Sequence, residues 1–385
     1  MYRNVAYLSR QGVVRLYTWD AEGNRVHHDL PYNPYYYVET TNTRSYDKMS
    51  LFNTPLRKRE FPNEYHRRET IQKMKSDNPN EDVRIFESVG AQQQFLIDQY
   101  HKINHENTFS QFPIKYVFLD IETYSPDEFP TPERCKDTIN VITCYDSITK
   151  KFYTWGLGDW KPSRDDVVYV NCTSERELLV KFIAWIEKDP PDIMSGWNSE
   201  LFDIPYIINR ANKVLGEDAV RALSPVQTIY SRDLISQFGK YNTRWHIKGM
   251  SCVDYLDVYK KFSMGLRESY KLDSIAEHEL GQKKVDFGDQ SLADLSQSDW
   301  QTFVDYNIQD VNLLVRMEEK LRYLELLRML AYTGLTPFEN AMGTLNVIIG
   351  AGVIEARKKD LVIPTFEKAQ THTGKFEGAY VGEPQ

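Results

Sequence analysis

The sequence has little cysteine, and neither cysteine nor histidine is arranged as in a known metal or disulfide framework. The four cysteines are Cys135, Cys144, Cys172 and Cys252, and no C-x-x-C pair occurs among them. They suit a reducing compartment and argue against a zinc ribbon or a disulfide-bonded scaffold. The eight histidines include no H-E-x-x-H motif, so a histidine-based metal site is not expected.

Long apolar segments are also missing. No apolar run approaches the roughly 18 residues that a membrane-spanning helix requires, and the opening residues MYRNVAYLSRQGVV lack the apolar core of a signal peptide. We therefore expect a cytoplasmic protein, in the host cytoplasm if it is viral, without a membrane partner. With 385 residues, of which 41% are hydrophobic, the chain is long enough for two or three domains with their own cores.

An excess of positive charge is absent as well. The formal net charge is −8, which does not by itself indicate nucleic-acid binding, because such proteins usually present a basic surface. Two short basic segments, 56–61 (LRKREF) and 66–69 (HRRE), stand near the start of the chain. Each is either a solvated surface or a contact to a phosphate backbone.

The order of the predicted elements indicates two structural units. Residues 1–112 carry short β-type runs separated by turns and predict a β-rich, mostly antiparallel N-terminal domain. Residues 113–330 begin with closely spaced strands and continue as strand–helix units, which predicts an α/β (α+β) domain with a mixed sheet flanked by helices. Within it, residues 225–249 predict a protruding hairpin. Residues 298–330 carry one long helical pattern that Ser298 would cap.

Two acids stand one residue apart in the segment YVFLDIETYSP, residues 116–126. Alternate side chains of a strand share a face, so Asp120 and Glu122 point to one side and Ile121 to the other. Carboxylates this close repel each other unless an arginine, a lysine or a metal lies between them. The alternative is a strand end that emerges into solvent with its acids simply solvated.

Two further acids and a tyrosine extend this pattern. Asp203 stands where a strand and a loop pass into a helix, and Asp310 follows Tyr306 by four residues in a helical segment, so these two side chains share a face. Alternatively, Asp203 caps its helix, Asp310 is a surface acid and Tyr306 only packs. If they meet the first two acids at one end of the sheet, four carboxylates could hold the two hard cations of a phosphoryl-transfer site.

Three segments carry a resemblance to a known family. FLDIET, GWNSELFDIPY and YNIQDVNLL resemble the three exonuclease motifs of B-family DNA polymerases, in particular those of T-even-type bacteriophages. The segments DIETYSPDEFP (120–130) and VDYLDVYKKFSM (253–264) are similar to further stretches of that family. The resemblance covers essentially the whole chain.

The resemblance implies a ribonuclease-H-like domain with 3′→5′ exonuclease activity, which proofreads for a DNA polymerase by using two Mg²⁺ or Mn²⁺ ions. In that family the position of Asp120 bridges both metals, and those of Glu122 and Asp310 complete the metal on the nucleophile side. The position of Asp203 holds the second metal, through water. The position of Tyr306 orients the attacking water.

The resemblance also implies a set of substrate contacts. Phe129 would stack against the terminal base, Asn198 and Phe202 would line a channel for single-stranded DNA, and Lys283 or Lys284 would add positive charge near the scissile phosphate. The implied substrate is a single-stranded 3′ end of DNA or a frayed primer–template, which the hairpin of residues 225–249 would help to part.

The polymerase motifs of that family, D-x-x-SLYPS and YGDTDS, do not occur in the sequence. We therefore expect no polymerase activity from these residues alone. Residues 331–372 would return to the N-terminal domain and residues 373–385 would begin the polymerase palm.

Two interpretations of the chain's extent stay open. Either the chain is a piece of a longer polymerase, or it is the proofreading half of a polymerase split into two polypeptides. The partners would then be the polymerase half and, through it, a sliding clamp. The alternatives are a non-catalytic assembly or nucleic-acid-binding subunit, and an enzyme that acts on RNA, because this fold also hosts ribonucleases.

Overall fold

The computed structural model describes residues 1–77, 84–103, 112–235, 241–282 and 290–365. The described residues form a six-stranded mixed sheet, a five-stranded sheet, a three-stranded sheet and a two-stranded ribbon, with helices packed around them. Among these helices, none is both long enough and apolar enough to cross a lipid bilayer.

The N-terminal part is built from antiparallel strands, as the sequence predicts. Its elements are β1 (Asn4–Leu8), β2 (Val13–Trp19), β3 (Arg25–Pro31), β4 (Tyr35–Glu39), β5 (Lys48–Ser50), β6 (Pro55–Glu60), α1 (Glu64–Asp77), β7 (Ile85–Phe86) and α2 (Ala91–Tyr100). Strands β1, β2 and β3 form an antiparallel meander. Strands β5, β6, β4 and β7 follow one another in a second sheet and pair antiparallel throughout.

The central sheet follows in the chain. Its strands and the neighbouring ribbon are β8 (Tyr116–Tyr124), β9 (Thr138–Asp146), β10 (Lys151–Gly156), β11 (Val167–Asn171), β12 (Ile193–Ser195), β13 (Ile229–Ile235), β14 (Tyr241–Ile247) and β15 (Ser251–Cys252). The sheet order is β11-β10-β9-β8-β12-β15. Strand β9 runs antiparallel to both of its neighbours, whereas β12 is parallel to β8 and to β15, so the sheet is mixed. Strands β13 and β14 pair antiparallel within the segment predicted as a hairpin.

The helices around this sheet are α3 (Glu175–Lys188), α4 (Asp203–Leu215), α5 (Glu217–Arg221), α6 (Tyr255–Phe262), α7 (Leu272–Leu280), α8 (Leu292–Ser298) and α9 (Trp300–Leu321). The two faces of β8 bury different cores, because side chains alternate along a strand. Leu119 and Ile121 join an apolar cluster with residues of α3 and α4, whereas Phe118 joins a cluster with residues of α9. Asp120 and Glu122 share the face of Phe118 and therefore lie on the side of α9.

The start of the predicted long helix differs from expectation. Ser298 is the last residue of α8 rather than the N-cap of a helix. The N-cap of α9 is Asp299, whose side chain accepts a hydrogen bond from the backbone N–H of Thr302 at 3.1 Å. An aspartate is as good an N-cap as a serine, so the sequence pattern allowed either residue.

The prediction of one continuous helix over residues 298–330 is also wrong, because the helix is interrupted at Arg322. Arg322 has a left-handed backbone with φ of 55°, which ends α9 and starts α10 (Tyr323–Thr333). Both carboxylate oxygens of Glu318 accept the N–H of Leu324 at 3.1 Å, so an acid from one helix satisfies the first turn of the next. Because this partner lies outside the new helix, local pattern does not indicate the break.

The buried Glu318 predicts a pH dependence of stability. Burial raises the pKa of Glu318 to about 7 from its ordinary value of 4.5, so the folded state keeps a proton that the unfolded chain loses. The stabilising contribution is complete below about pH 4.5 and is lost as the pH rises through about 7, with a magnitude of up to about 3 kcal/mol. Glu318→Gln should therefore show a smaller fall in the free energy of unfolding between pH 5 and pH 8, measured by urea denaturation.

The control is Glu319→Gln, which removes an exposed acid from the next position of α9. This variant should keep the pH dependence of the unsubstituted chain. Equal pH dependence in the Glu318→Gln variant and the unsubstituted chain would contradict the assignment of the effect to Glu318.

The last described elements lie against the N-terminal part. They are α11 (Phe338–Ala341), α12 (Thr344–Lys358) and β16 (Leu361–Val362). Strand β16 pairs parallel with β5 and completes the five-stranded sheet. Arg357 of α12 forms ion pairs with Glu87 and Asp98. Of the predicted returning segment 331–372, residues after 365 lie outside the described residues, as do residues 373–385, which were predicted to begin the palm.

Candidate active site

Three acids from one strand and one helix meet on the α9 side of the central sheet. Strand β8 contributes Asp120 and Glu122, and α9 contributes Asp310. One carboxylate oxygen from each lies within 4.8 Å of the other two. Asp310 is buried, whereas Asp120 and Glu122 are half-buried and so reachable from solvent. Asp310 is therefore not a surface acid of its helix.

Asp203 lies near these acids, on the α4 side of the sheet, but it is not among the three whose oxygens converge. It is the first residue of α4, and the N-cap position belongs to Phe202, so Asp203 is not the helix cap. Its Oδ1 accepts the backbone N–H of Ile121, between Asp120 and Glu122, at 3.1 Å. Burial, with a smaller contribution from neighbouring carboxylates, raises the pKa of Asp203 to about 7. A cation would remove this penalty, because it favours the charged carboxylate.

Tyr306 lies one helical turn before Asp310 on α9, and both side chains are buried. Residues four apart on a helix share a face, so the phenol and the carboxylate belong to the same side of α9. The burial of Tyr306 alone is also what a packing residue would show.

Asn307 is a site residue that the sequence analysis missed. Its side chain is fully buried on α9, and its Nδ2 donates a hydrogen bond to Oδ2 of Asp120 at 2.7 Å. Its position three residues before Asp310 was the available signal, because residues three apart on a helix also share a face.

The loop between β12 and α4 carries two of the predicted substrate contacts. Gly196 passes so close to β8 that a Cβ there would lie 2.6 Å from the carbonyl oxygen of Leu119. Asn198 is exposed and has a left-handed backbone with φ of 64°. Asp254, the N-cap of α6, accepts the backbone N–H groups of Asn198 at 3.0 Å and of Glu200 at 3.2 Å. The start of α6 therefore holds this loop in place.

Ion pairs join the two-stranded ribbon to the loop between β12 and α4. Arg244 of β14 pairs with Glu200 of the loop at 3.1 Å and with Asp257 of α6 at 2.8 Å. Burial raises the pKa of Glu200 to about 7 and that of Asp254 to about 6, and Arg244 opposes the rise at Glu200. The ribbon, the loop and α6 thus share one cluster of ionisable groups.

Two aromatic side chains predicted to contact substrate, Phe129 and Phe202, lie close to each other. The Phe129 ring is 81% exposed, although it is a large apolar group. Its centroid lies 5.8 Å from that of Phe202, which in turn lies 5.7 Å from Tyr206. Lys283 and Lys284, predicted to add positive charge, lie outside the described residues.

The donor atoms of the cluster fit a hard divalent cation. Carboxylate oxygens are the ligands that Mg²⁺ and Mn²⁺ prefer, and no nitrogen or sulfur ligand is needed. Among the described residues, this is the group of acids whose oxygens converge closely enough to hold a metal ion. The site can therefore bind a divalent cation through Asp120, Glu122 and Asp310.

The chain matches the model of one known protein family. The family model described as DNA polymerase family B, exonuclease domain, matches residues 82–275, about half of the 385 residues. The chain belongs to this family. The match contains Asp120, Glu122 and Asp203 and ends before α9, so the family assignment does not depend on Tyr306 or Asp310. The predicted resemblance and the ribonuclease-H-like fold class are confirmed.

Individual relatives extend the similarity beyond this range. A DNA-directed DNA polymerase of Escherichia phage RB69 is 28% identical over 95% of this chain and 42% of its own length. That of Enterobacteria phage T4 is 30% identical over 71% of this chain and 32% of its own length. A DNA polymerase delta catalytic subunit of Glycine max is 29% identical over 54% of this chain. The chain thus spans less than half the length of these phage relatives.

Proposed function

We propose that this chain is the proofreading part of a DNA-directed DNA polymerase and removes nucleotides from the 3′ end of DNA. In each step a water oxygen bonds to the terminal phosphorus, the bond from phosphorus to the preceding O3′ breaks, and that oxygen takes up a proton. The products are a nucleoside 5′-monophosphate and a shortened 3′-hydroxyl end. The observation that supports this proposal best is the convergence of Asp120, Glu122 and Asp310 within a B-family exonuclease domain.

The acids would hold two divalent cations, Mg²⁺ or Mn²⁺, with Asp120 shared between them and Asp203 on the second. When bound, these ions supply charge neutralisation for the attacking and leaving oxygens of the phosphate. The ligands stand on secondary-structure elements rather than on loops, which supports this role. Asp120 and Glu122 stand on a central strand, and Asp310 stands on a helix packed against it, so little reorganisation is needed.

Tyr306 would orient the attacking water from α9, and Asn198 and Phe202 would guide the single-stranded end toward the acids. Lys283 would add positive charge near the scissile phosphate. Positioning of this kind is the main contribution that a protein makes to phosphoryl transfer. The location of Asn198 and Phe202 on the loop that leads directly into Asp203 supports a shared path for substrate.

Phe129 carries a prediction that separates binding from stability. An aromatic ring that is 81% exposed contributes little to the core but offers a face on which any base can stack. Phe129→Ala should weaken binding of a single-stranded oligonucleotide by about 1–3 kcal/mol and leave the melting temperature unchanged. Fluorescence anisotropy with a labelled oligonucleotide measures the first effect, and thermal denaturation the second.

Phe52 provides the control for this aromatic contact, because it is 60% exposed and lies between β5 and β6 in the N-terminal part. Phe52→Ala should leave oligonucleotide affinity unchanged. Equal losses of affinity in both variants would point to a general effect of surface aromatic residues rather than to stacking by Phe129.

The alternative is a non-catalytic subunit that binds nucleic acid or assembles with a polymerase half. It is favoured by the formal net charge of −8, which does not by itself indicate a surface that holds DNA for catalysis. On either proposal residues 1–112 form an N-terminal domain, 113–330 the exonuclease domain, and 331–372 a return to the first. The proposed partners are the polymerase half and, through it, a sliding clamp, in the cytoplasm of the host.

The direct test uses a single-stranded DNA oligonucleotide labelled at its 5′ end, incubated with the purified chain and Mg²⁺ or with EDTA. A ladder that shortens from the 3′ end and disappears with EDTA is the expected result. The matching RNA oligonucleotide should be cut more slowly. A folded chain that leaves DNA intact, alone and with the polymerase half of a relative supplied in trans, would favour the non-catalytic alternative.

A further inference from the structure

We propose that Asn307 is a positioning residue that fixes the carboxylate of Asp120 for cation binding. This inference rests on the proposed function, because it concerns the same acids. The observation is a hydrogen bond of 2.7 Å from Nδ2 of Asn307 to Oδ2 of Asp120, made by a side chain with no exposure to solvent.

The chemistry of the two groups determines which way the amide points. An ionised carboxylate can only accept hydrogen bonds, so the NH₂ group of Asn307 must face Asp120. Turning the amide over would set its carbonyl oxygen against a carboxylate oxygen. The orientation is therefore determined by Asp120 rather than by the surrounding core.

This orientation leaves the carbonyl oxygen of the amide without a hydrogen-bond donor among the described residues. Oδ1 of Asn307 is buried and accepts no hydrogen bond from any residue that the structure describes. A buried acceptor without a donor destabilises the folded state, and such groups in native proteins call for a specific explanation. An apolar side chain of the same shape would avoid this penalty. The presence of asparagine thus indicates a role in the site at some expense of stability.

The bond to Asp120 supplies that role. A carboxylate that is already held in one orientation loses less conformational freedom when a cation binds, and the N–H dipole stabilises its charged form. Asn307 also stands between Tyr306 and Asp310 on α9, so the same helix that carries one ligand orients another. The hydrogen bond thereby links the spacing of β8 and α9 to the orientation of the Asp120 carboxylate.

The test is Asn307→Leu, which keeps the approximate shape and removes the donor. Titration of the DNA-free chain with Mn²⁺, followed by the electron paramagnetic resonance signal of the free ion, should show an affinity 10–100-fold lower than that of the unsubstituted chain. The melting temperature without metal should stay the same or rise. Unchanged Mn²⁺ affinity with a lower melting temperature would overturn the proposal and assign Asn307 to packing alone.

Asn312→Leu is the matched control. Asn312 lies on the same helix and is half-buried, but its Nδ2 donates to Gln309 at 3.1 Å rather than to an acid of the cluster. Its Mn²⁺ affinity should equal that of the unsubstituted chain. If Asn307→Leu does not fold, Asn307→Ser serves instead, because the shorter hydroxyl cannot reach Asp120, and the same loss of Mn²⁺ affinity is expected.

The binding measurement also separates this inference from the proposed exonuclease activity. A chain that binds Mn²⁺ and loses affinity in Asn307→Leu, yet does not shorten DNA, would support the positioning role and contradict the activity. A chain that shortens DNA but shows equal Mn²⁺ affinity in both forms would support the activity and overturn the role of Asn307.

Discussion

Replacing Asp120 and Glu122 together by alanine is expected to lower the proposed exonuclease activity by at least about 10³-fold, because loss of even one group that stabilises transition-state charge lowers a rate by about 10²–10³-fold. The two carboxylates occupy one face of β8 and, with Asp310, supply the converging oxygens of the site. Without them Asp310 and Asp203 alone cannot bring two cations together. The rate of shortening of a 5′-labelled oligonucleotide, at saturating Mg²⁺, measures the loss.

The matched control removes two neighbouring acids of α5, Glu217 and Asp218, whose side chains are exposed. This double alanine variant has the same net charge as the Asp120 and Glu122 variant but should keep full activity. Circular dichroism should show both variants folded. Residual activity above 1% in the variant lacking Asp120 and Glu122 would mean that another group of residues carries the reaction.

The pair of acids on β8 was predictable because its signal is local. Alternation along a strand puts Asp120 and Glu122 on one face whatever the rest of the chain does. The strand itself extends to Tyr124, further than the apolar run 116–119 alone indicated. Pairing with β9, which continues to Tyr124, supports the polar residues that propensity would place in a turn, whereas β12 pairs only with residues 116–118.

The third and fourth acids needed more than local pattern. The helical spacing of Tyr306 and Asp310 predicted a shared face, but not which face is buried. Asp203 could equally have been a helix cap, and its place as the first residue of α4 and its hydrogen bond from Ile121 in another element distinguish the two roles. Before the fold is known, only the resemblance to the family motifs indicates that Asp203 and Asp310 belong to the same site.

Contacts between distant residues account for what was missed. Asn307 and Asp120 are 187 residues apart, so the spacing of Asn307 and Asp310 indicates a shared helix face but not the bond to Asp120. The break of the predicted helix at Arg322 likewise depends on a partner, Glu318, in the preceding helix. Sequence pattern describes single elements well, whereas hydrogen bonds between elements are determined by the assembled fold.

An ion-pair network between residues distant in sequence joins the N-terminal meander (β1–β3) to the central sheet. Asp192 directly precedes β12, and its Oδ1 accepts from Arg3 at 2.5 Å and from Arg25 at 3.1 Å. Its Oδ2 accepts the backbone N–H of Lys115, just before β8, at 2.8 Å. One carboxylate thus ties the starts of β1 and β3 to the starts of β8, which bears Asp120 and Glu122, and of its neighbour β12.

Asp192→Ala is expected to lower the free energy of unfolding by about 3–5 kcal/mol, because it leaves a buried guanidinium without its anion. Arg3 and Asp192 have side-chain exposures of only 5% and 3%. Burial already lowers the pKa of Arg3, and Asp192 is the largest influence opposing that change. Urea denaturation, with the midpoint and slope analysed together, measures the loss.

Asp189→Ala is the matched control, because Asp189 belongs to the same network but its side chain is 59% exposed. It pairs with Arg25 at 2.5 Å and with Lys115 at 2.8 Å. Its removal should cost no more than about 1 kcal/mol, because the buried Lys115 keeps its pair with Asp146 at 2.9 Å. Replacing Arg3 and Asp192 together by methionine and leucine should restore much of the stability lost in Asp192→Ala, since no buried charge is then left unpaired. If Asp192→Ala and Asp189→Ala lose equal free energy of unfolding, burial does not determine how much each ion pair of this network contributes to stability. The strand that leads to Asn198 and Asp203 would then be held by its backbone pairing with β8 instead.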